Sequence, residues 1–230
     1  MPLTIFDLDN TLLNGDSDHA WGEHLIHTGW VDAEQHLKRN DRFYAEYQAG
    51  TLDIVAYQTF VLAPLVNKPW ATLAALRDDF VQTRVVPMIS QHTRQLIAHH
   101  KQQNDELLII TATNRFVTEP IAELLGIANL IATEPEIIDQ KITGKIVGTP
   151  SFQDGKITRL HQWLGTDNPD LTDCAFYSDS SNDLPLLQAV GKPVAVDPDE
   201  ALQTHAEQAG WPIISLRPDA APIDAFFDKS

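Results

Sequence analysis

Cysteine is nearly absent: Cys174 stands alone in 230 residues, so no disulfide can form within the chain. Its surroundings, "DLTDCAFYSD", read as a half-buried strand in which a thiol serves as a small hydrophobe. Positive charge is scarce too, with 16 lysines and arginines against 32 aspartates and glutamates, a formal charge of −16. A surface of that sign repels phosphate backbones and anionic membranes unless cations are gathered locally, and no basic stripe gathers them. Nucleic acid and membrane are therefore excluded as expected partners. No stretch approaches the roughly 18 apolar residues that a membrane span requires, and no basic segment precedes an apolar one at the N-terminus. A soluble, cytoplasmic protein is the expectation. No repeat and no coiled-coil heptad appears, so the oligomeric state is not legible. Apolar side chains are plentiful, at 43% hydrophobic and 8% aromatic content, enough for a real core.

Residues 3–6, "LTIF", form a short apolar run suited to a buried strand. From about Ser17 to Thr83 the spacing is helical, through Trp21 and Leu25, Leu37, then Ile54, Tyr57 and Val61, then Leu73, Leu76 and Phe80. Asp32, Asp53 and Pro69 stand where helices should begin. After Pro87 strands and helices alternate. The expected order is a helix near 90–103, "ELLIIT" (106–111), a helix ending near Gly126 and "NLIAT" (129–133). A hairpin turning at Thr143 and Gly144 in "KITGKIVG" (141–148) follows, then a helix from about Lys156 to Leu164. "CAFYSD" (174–179), a helix from Leu184 to Val190 and "PVAVD" (193–197) complete the series. This alternation predicts an α/β fold, a doubly wound, mostly parallel sheet covered on both faces. Ligands of such sheets bind beyond the carboxyl ends of the strands.

Three polar residues close three apolar runs at that edge: Asp7, Thr111 and Asp179. Lys156 can join them from the first turn of its helix. Asp9 lies one residue beyond Asp7's neighbour, and Asp183 follows Asp179 closely, which brings up to four carboxylates into a small space. They cannot all be ionised there without a divalent cation. Hard oxygen ligands with no cysteine or histidine cluster nearby favour magnesium, with Asp7, Asp9, Asp179 and Asp183 as candidate ligands. A calcium loop in "DLDNTLLNGDSD" fails on Leu12, where glycine is needed, and on Asp18, where a bidentate glutamate is needed. His24 and His27 lack further ligands for zinc.

Four segments, "DLDNT" (7–11), "IITAT" (109–113), "DGK" (154–156) and "SDSSND" (178–183), occur in the order found in the haloacid dehalogenase superfamily. The chain resembles its phosphoserine-phosphatase-like branch over nearly its whole length. The resemblance implies a Rossmann-like core from residues 1–14 and 89–230, with residues 15–88 as a helical cap. It also implies a magnesium-dependent phosphomonoesterase acting on a small phosphate ester, with a phosphotransferase as the alternative. Asp7 would be the nucleophile forming an aspartyl phosphate, and Asp9 the general acid and base. Thr111 and Lys156 would hold the phosphoryl group. Magnesium would sit among Asp7, the carbonyl of Asp9 and Asp179, with Asp183 and Asn182 behind, and Thr113 and Asn182 join the substrate set.

The same resemblance bears on the substrate. Phosphoserine phosphatases carry a glutamate for the substrate amine where this chain has Asp16, and a cap arginine for its carboxylate. Aligning their glycine-containing turn on Gly50 puts Val61 at the arginine's place, and residues 53–66 contain no basic residue. A carboxylate would lose solvation there without compensation. The better expectation is an amino-alcohol phosphate such as histidinol phosphate, since "DSDHAW" (16–21) is similar to phosphatases of this branch associated with that substrate. Asp16 or Asp18 would meet the amine, Trp21 or Tyr57 would stack on the imidazole, and His19 lies in the same segment. Phosphoserine is the alternative substrate.

Overall fold

Leu3, Thr4, Ile5 and Phe6 are all buried, and their alternation assigns them to opposite faces of a sheet. In the computed structural model, which describes residues 2–227, they form β1 (Leu3–Phe6), the central strand of seven. Leu3 and Ile5 join a core with Leu160, Leu186 and Leu202. Phe6 joins another with Ile97, Phe116 and Ile121. Burial on both faces is why these strands read as continuous apolar runs.

After β1 come α1 (Ser17–His27), α2 (Ala33–Gln48), α3 (Ile54–Leu62), α4 (Trp70–Phe80) and α5 (Gln91–Gln102). β2 (Glu106–Asn114), α6 (Arg115–Leu125), β3 (Asn129–Ile138), β4 (Lys141–Val147) and α7 (Asp154–Leu164) follow. The chain continues through β5 (Ala175–Ser178), α8 (Leu184–Ala189), β6 (Lys192–Val196), α9 (Glu200–Ala209) and β7 (Ile213–Ile214). The sheet order is β4-β3-β2-β1-β5-β6-β7, parallel except for the β3–β4 pair. The chain leaves β1 toward β2 and returns to β5 on its other side. That reversal opens a crevice at the carboxyl end of β1, where such folds bind ligands.

Between β1 and α5 the chain is helical, as its periodicity predicts, and Asp32 and Asp53 cap α2 and α3 through the backbone amides of Gln35, Val55 and Ala56. Where this block leaves and rejoins the rest, Asn14 N donates to Met88 O at 2.8 Å, so the two crossings run side by side. Gly15 has φ +151°, and a Cβ there would stand 3.3 Å from Met88 Sδ. The block has no core of its own: Trp21 packs edge-on against Phe80 at 5.1 Å and against Phe116 of α6 at 6.0 Å. α2 and α3 instead overhang the carboxyl edge, touching it where Gln58 Nε2 donates to Ala112 O and Asn182 Nδ2 donates to Tyr47 O.

One expectation is corrected. The hairpin turns at Asp139 and Gln140, with φ +49° and +59°, and residues 141–147 form one strand against β3. Positive φ at both central residues is what a two-residue hairpin needs, and Asp-Gln lacks the Asn-Gly signature that would have marked it. Gly144 sits within β4, where a Cβ would come 2.9 Å from Val66 Cγ2. Its absent side chain admits α3's extension rather than a turn. Beyond residue 197, where the sequence reading names no element, the chain supplies α9 and the edge strand β7, whose two residues are too short for periodicity to reveal. Among the described residues no helix is long and apolar enough to cross a membrane.

Thr4, the polar member of β1, belongs to a buried network around His100 of α5. His100 Nδ1 lies 2.7 Å from Asp105 Oδ2, its Nε2 lies 2.9 Å from the Tyr177 hydroxyl, and Thr4 donates to Asp105. Burial pulls His100 below its ordinary 6.5; Asp105 opposes this, while His99 and Lys192 add to it. The unfolded chain therefore binds this proton more readily than the fold. The stabilisation is full above pH 6.5 and is lost as the pH falls through the lower folded value. The urea midpoint should drop between about pH 7.5 and 5, and by less in His100→Gln. An equal drop in that variant would assign the effect to other groups.

Candidate active site

The apolar run stops at Phe6, and Asp7 opens an irregular turn in which Asn10 takes φ +56°. Asp7 Oδ1 lies 2.6 Å from Lys156 Nζ, and the same ammonium lies 2.7 Å from Asp183 Oδ2. Asp183 also accepts from the Ser178 hydroxyl at 2.6 Å. Across the β1–β5 crevice, Thr11 donates to Asp179 Oδ1 at 3.0 Å, receives Asp179 N at 3.0 Å and stands 3.4 Å from Asp7 Oδ2. Asp7, Thr11, Lys156, Asp179 and Asp183 are all buried.

Burial pushes Asp7 up to about 7; Lys156 pulls against this and Asp183 adds to it. Asp179 is held well above the carboxylate range by burial, then by Asp7 and Asp183. Burial would lower Lys156, but Asp183 and Asp7 outweigh it and hold the ammonium above lysine's ordinary value. The cluster thus has more carboxylates than its one ammonium can balance, and all its donor atoms are hard oxygens. That set fits a magnesium ion. Among the described residues no three His, Cys, Asp or Glu side chains already form a metal cage. Magnesium does not require one, because it is commonly held by one or two carboxylates and retains several waters.

Asp9 accepts from Ser17 N at 2.6 Å and from the Thr113 hydroxyl at 2.8 Å. Burial, with help from Asp16, raises it to about 6, so it can both give and take a proton near neutrality. Thr111 accepts from Thr113 N at 3.2 Å, which leaves its hydroxyl proton to donate into the crevice.

Above these groups, α1, α2 and α3 close a cavity of about 50 Å³. Asp7, Asp9, Thr111, Thr113, Lys156, Asn182 and Asp183 line its floor, while Asp16, Asp18, His19 and Tyr57 line its upper wall. Asp16 spends one oxygen capping α1 through His19 N at 2.8 Å. Asp18 is buried and raised well above the carboxylate range by burial, then by Asp16 and Asp9, with the hydroxyls of Tyr57 and Thr113 opposing this; its Oδ1 has no hydrogen-bond partner among the described residues. His19 Nδ1 meets Asn40 Nδ2 at 2.9 Å. Asn182 joins the two layers, accepting from Gln153 at 3.0 Å and donating to Tyr47 O at 3.2 Å. Trp21 is the exception and a correction. Two residues beyond His19, it is carried about 200° round the helix, away from the cavity into the core beside Phe80 and Phe116.

Sequence reading missed Thr11, Asn40, Tyr47 and Gln58, which touch the cluster or line the cavity. Thr11 was visible inside "DLDNT". The other three lie in helices where spacing marks which residues share a face but not which face the site occupies.

A family model described as haloacid dehalogenase-like hydrolase matches residues 4–188. The chain is 46% identical over 219 residues to a protein named histidinol-phosphatase from Neisseria meningitidis serogroup C, covering 94% of this chain and 99% of that one. It is 30% identical over 215 residues to a phosphoserine phosphatase of Mycobacterium tuberculosis, covering 92% of this chain and 70% of that one. A solved structure of a protein of unknown function from Bordetella pertussis Tohama I superposes with a TM-score of 0.87 at 40% identity, covering 94% of this chain and 99% of that one. The chain belongs to the haloacid dehalogenase-like hydrolases. Within that family it is a phosphatase.

Proposed function

We propose that this phosphatase hydrolyses a phosphorylated amino alcohol lacking a carboxylate, with histidinol phosphate as the best candidate, through an aspartyl phosphate on Asp7. The observation that carries the substrate reading is the cavity's charge. Lys156 is the one lysine or arginine lining it among the described residues, and Asp7 and Asp183 already hold that ammonium. Asp18, which lines the same cavity, has a buried Oδ1 with no hydrogen-bond partner among the described residues. A substrate ammonium would satisfy it, whereas a substrate carboxylate would find no cation to offset its lost solvation. The 46% identity to a histidinol-phosphatase supports the same reading.

In the proposed sequence a carboxylate oxygen of Asp7 bonds to phosphorus as the bond to the alcohol oxygen breaks. Asp9 gives its proton to the leaving alkoxide. It then takes a proton from the water that attacks the acyl phosphate, releasing phosphate and restoring Asp7. Lys156 and Thr111 offset the phosphoryl charge. Magnesium would be held by Asp7, Asp179 and the Asp9 carbonyl, backed by Asp183 and Asn182, and would supply Lewis-acid charge. Residues 15–88 act as a cap in this reading, and a cytoplasmic setting suits a small metabolite. A cavity of about 50 Å³ holds only a few waters, so α2 and α3 must lift to admit substrate.

The test compares kcat/KM on L-histidinol phosphate and L-phosphoserine with magnesium present. The expected preference for histidinol phosphate is about tenfold or more, the cost of a buried charge without a partner. A tenfold preference for phosphoserine would mean that a carboxylate partner exists.

A further inference from the structure

Gln58 takes no part in the chemistry above, yet it is fully buried on α3 and lines the cavity. Its Nε2 donates to Ala112 O, between Thr111 and Thr113, at 3.3 Å. That bond sets the amide's orientation, because the opposite flip would face two carbonyl oxygens against each other. Oε1 is left pointing elsewhere, and no donor reaches it among the described residues. Buried amide oxygens are rarely left so, and one on a residue that lines a binding cavity can take a donor from the ligand.

Two residues that line the cavity thus each carry a buried oxygen without a hydrogen-bond partner among the described residues, Oδ1 of the Asp18 carboxyl and Oε1 of the Gln58 amide. The one on Asp18 would pair with an ammonium, whose charge draws that carboxyl toward its ionised form. The one on Gln58 suits an uncharged N–H, and Phe43, Tyr44 and Tyr57 line the same cavity with aromatic surface for a flat ring. We infer that Gln58 is a specificity-determining residue that accepts the ring N–H of an imidazole-bearing substrate, while Asp18 receives the amine. This inference rests on the histidinol phosphate reading and adds to it the residue that distinguishes such a substrate from amino-alcohol phosphates without a ring.

The experiment measures kcat and KM of wild type and Gln58→Leu on three substrates: histidinol phosphate, its thiazole analogue, which keeps the ring's shape without the N–H, and phosphoethanolamine. Wild type should favour histidinol phosphate over the thiazole analogue by about tenfold, mainly through KM. In Gln58→Leu that preference should vanish, whatever loss common to all three substrates follows from freeing Ala112 O. An equal loss on all three substrates would overturn the inference, assigning Gln58 only the support of the Thr111 segment. An unchanged preference in the variant would overturn it as well. If the variant does not fold, the wild-type comparison decides alone, and an equal rate on the thiazole analogue overturns the inference. A wild type that treats histidinol phosphate and phosphoethanolamine alike defeats the substrate reading itself, and Gln58 with it. A preference over phosphoethanolamine that survives loss of the N–H defeats Gln58 only.

Discussion

Asp7→Asn is expected to lower turnover by at least about a thousandfold while leaving the fold as stable as before. The amide oxygen is a poor nucleophile and cannot form the acyl phosphate, so the covalent route closes. Stability follows a separate argument. Removing one partner of a buried ion pair costs about 3–5 kcal/mol when it strands the other charge. Lys156 is not stranded, since Asp183 stays 2.7 Å from Nζ. Asp7 is itself held up to about 7, chiefly by burial, so a neutral side chain of the same shape meets less opposition there than the carboxylate does. Thermal unfolding should give a melting temperature no lower than wild type. Retention of more than a tenth of the activity, a barrier change under about 1.4 kcal/mol, would rule out Asp7 as the nucleophile.

Chelating divalent metal should lower activity by at least about a hundredfold, with recovery on adding magnesium. Asp7, Asp9, Asp179 and Asp183 surround the reaction site with Lys156 as their one ammonium, and a phosphate ester brings further negative charge to the same place. Without a cation, both substrate binding and attack by an anionic Asp7 are opposed. A second readout does not depend on turnover. Magnesium bound to the folded chain alone should raise its stability by about 2.7 kcal/mol at a hundred times the dissociation constant. The effect should shrink in Asp179→Asn, because an amide offers magnesium a weaker ligand than a carboxylate. Full activity in chelator, together with a melting temperature indifferent to magnesium, would remove the metal from the proposal.

Much of the site was legible because its signals are local. An apolar run of four to six residues reads as a buried strand, and the polar residue that ends it lies at the sheet's carboxyl edge wherever the strand sits. Asp7 and Asp179 could be placed without knowing the neighbours of β1, and Lys156 by the helix it helps begin. Asp32 and Asp53 were readable as caps because a cap bonds within three residues of itself.

The rest depended on which way each helix turns, and that is decided by partners far along the chain. Trp21 and His19 lie two residues apart on one helix, and only the packing of α1 against Phe80 and Phe116 sends one into the core and leaves the other at the cavity. Thr11 bonds to Asp179 across 168 positions, and Gln58 to Ala112 across 54. Backbone geometry and side-chain periodicity alone placed the buried strands around β1, the caps and the polar residues at the carboxyl edge, but neither the β3–β4 turn nor β7. That Asp18 and Gln58 line the cavity, each with an oxygen unpaired among the described residues, emerges from the folded chain alone, because hydrogen-bond satisfaction depends on every group that folding brings near.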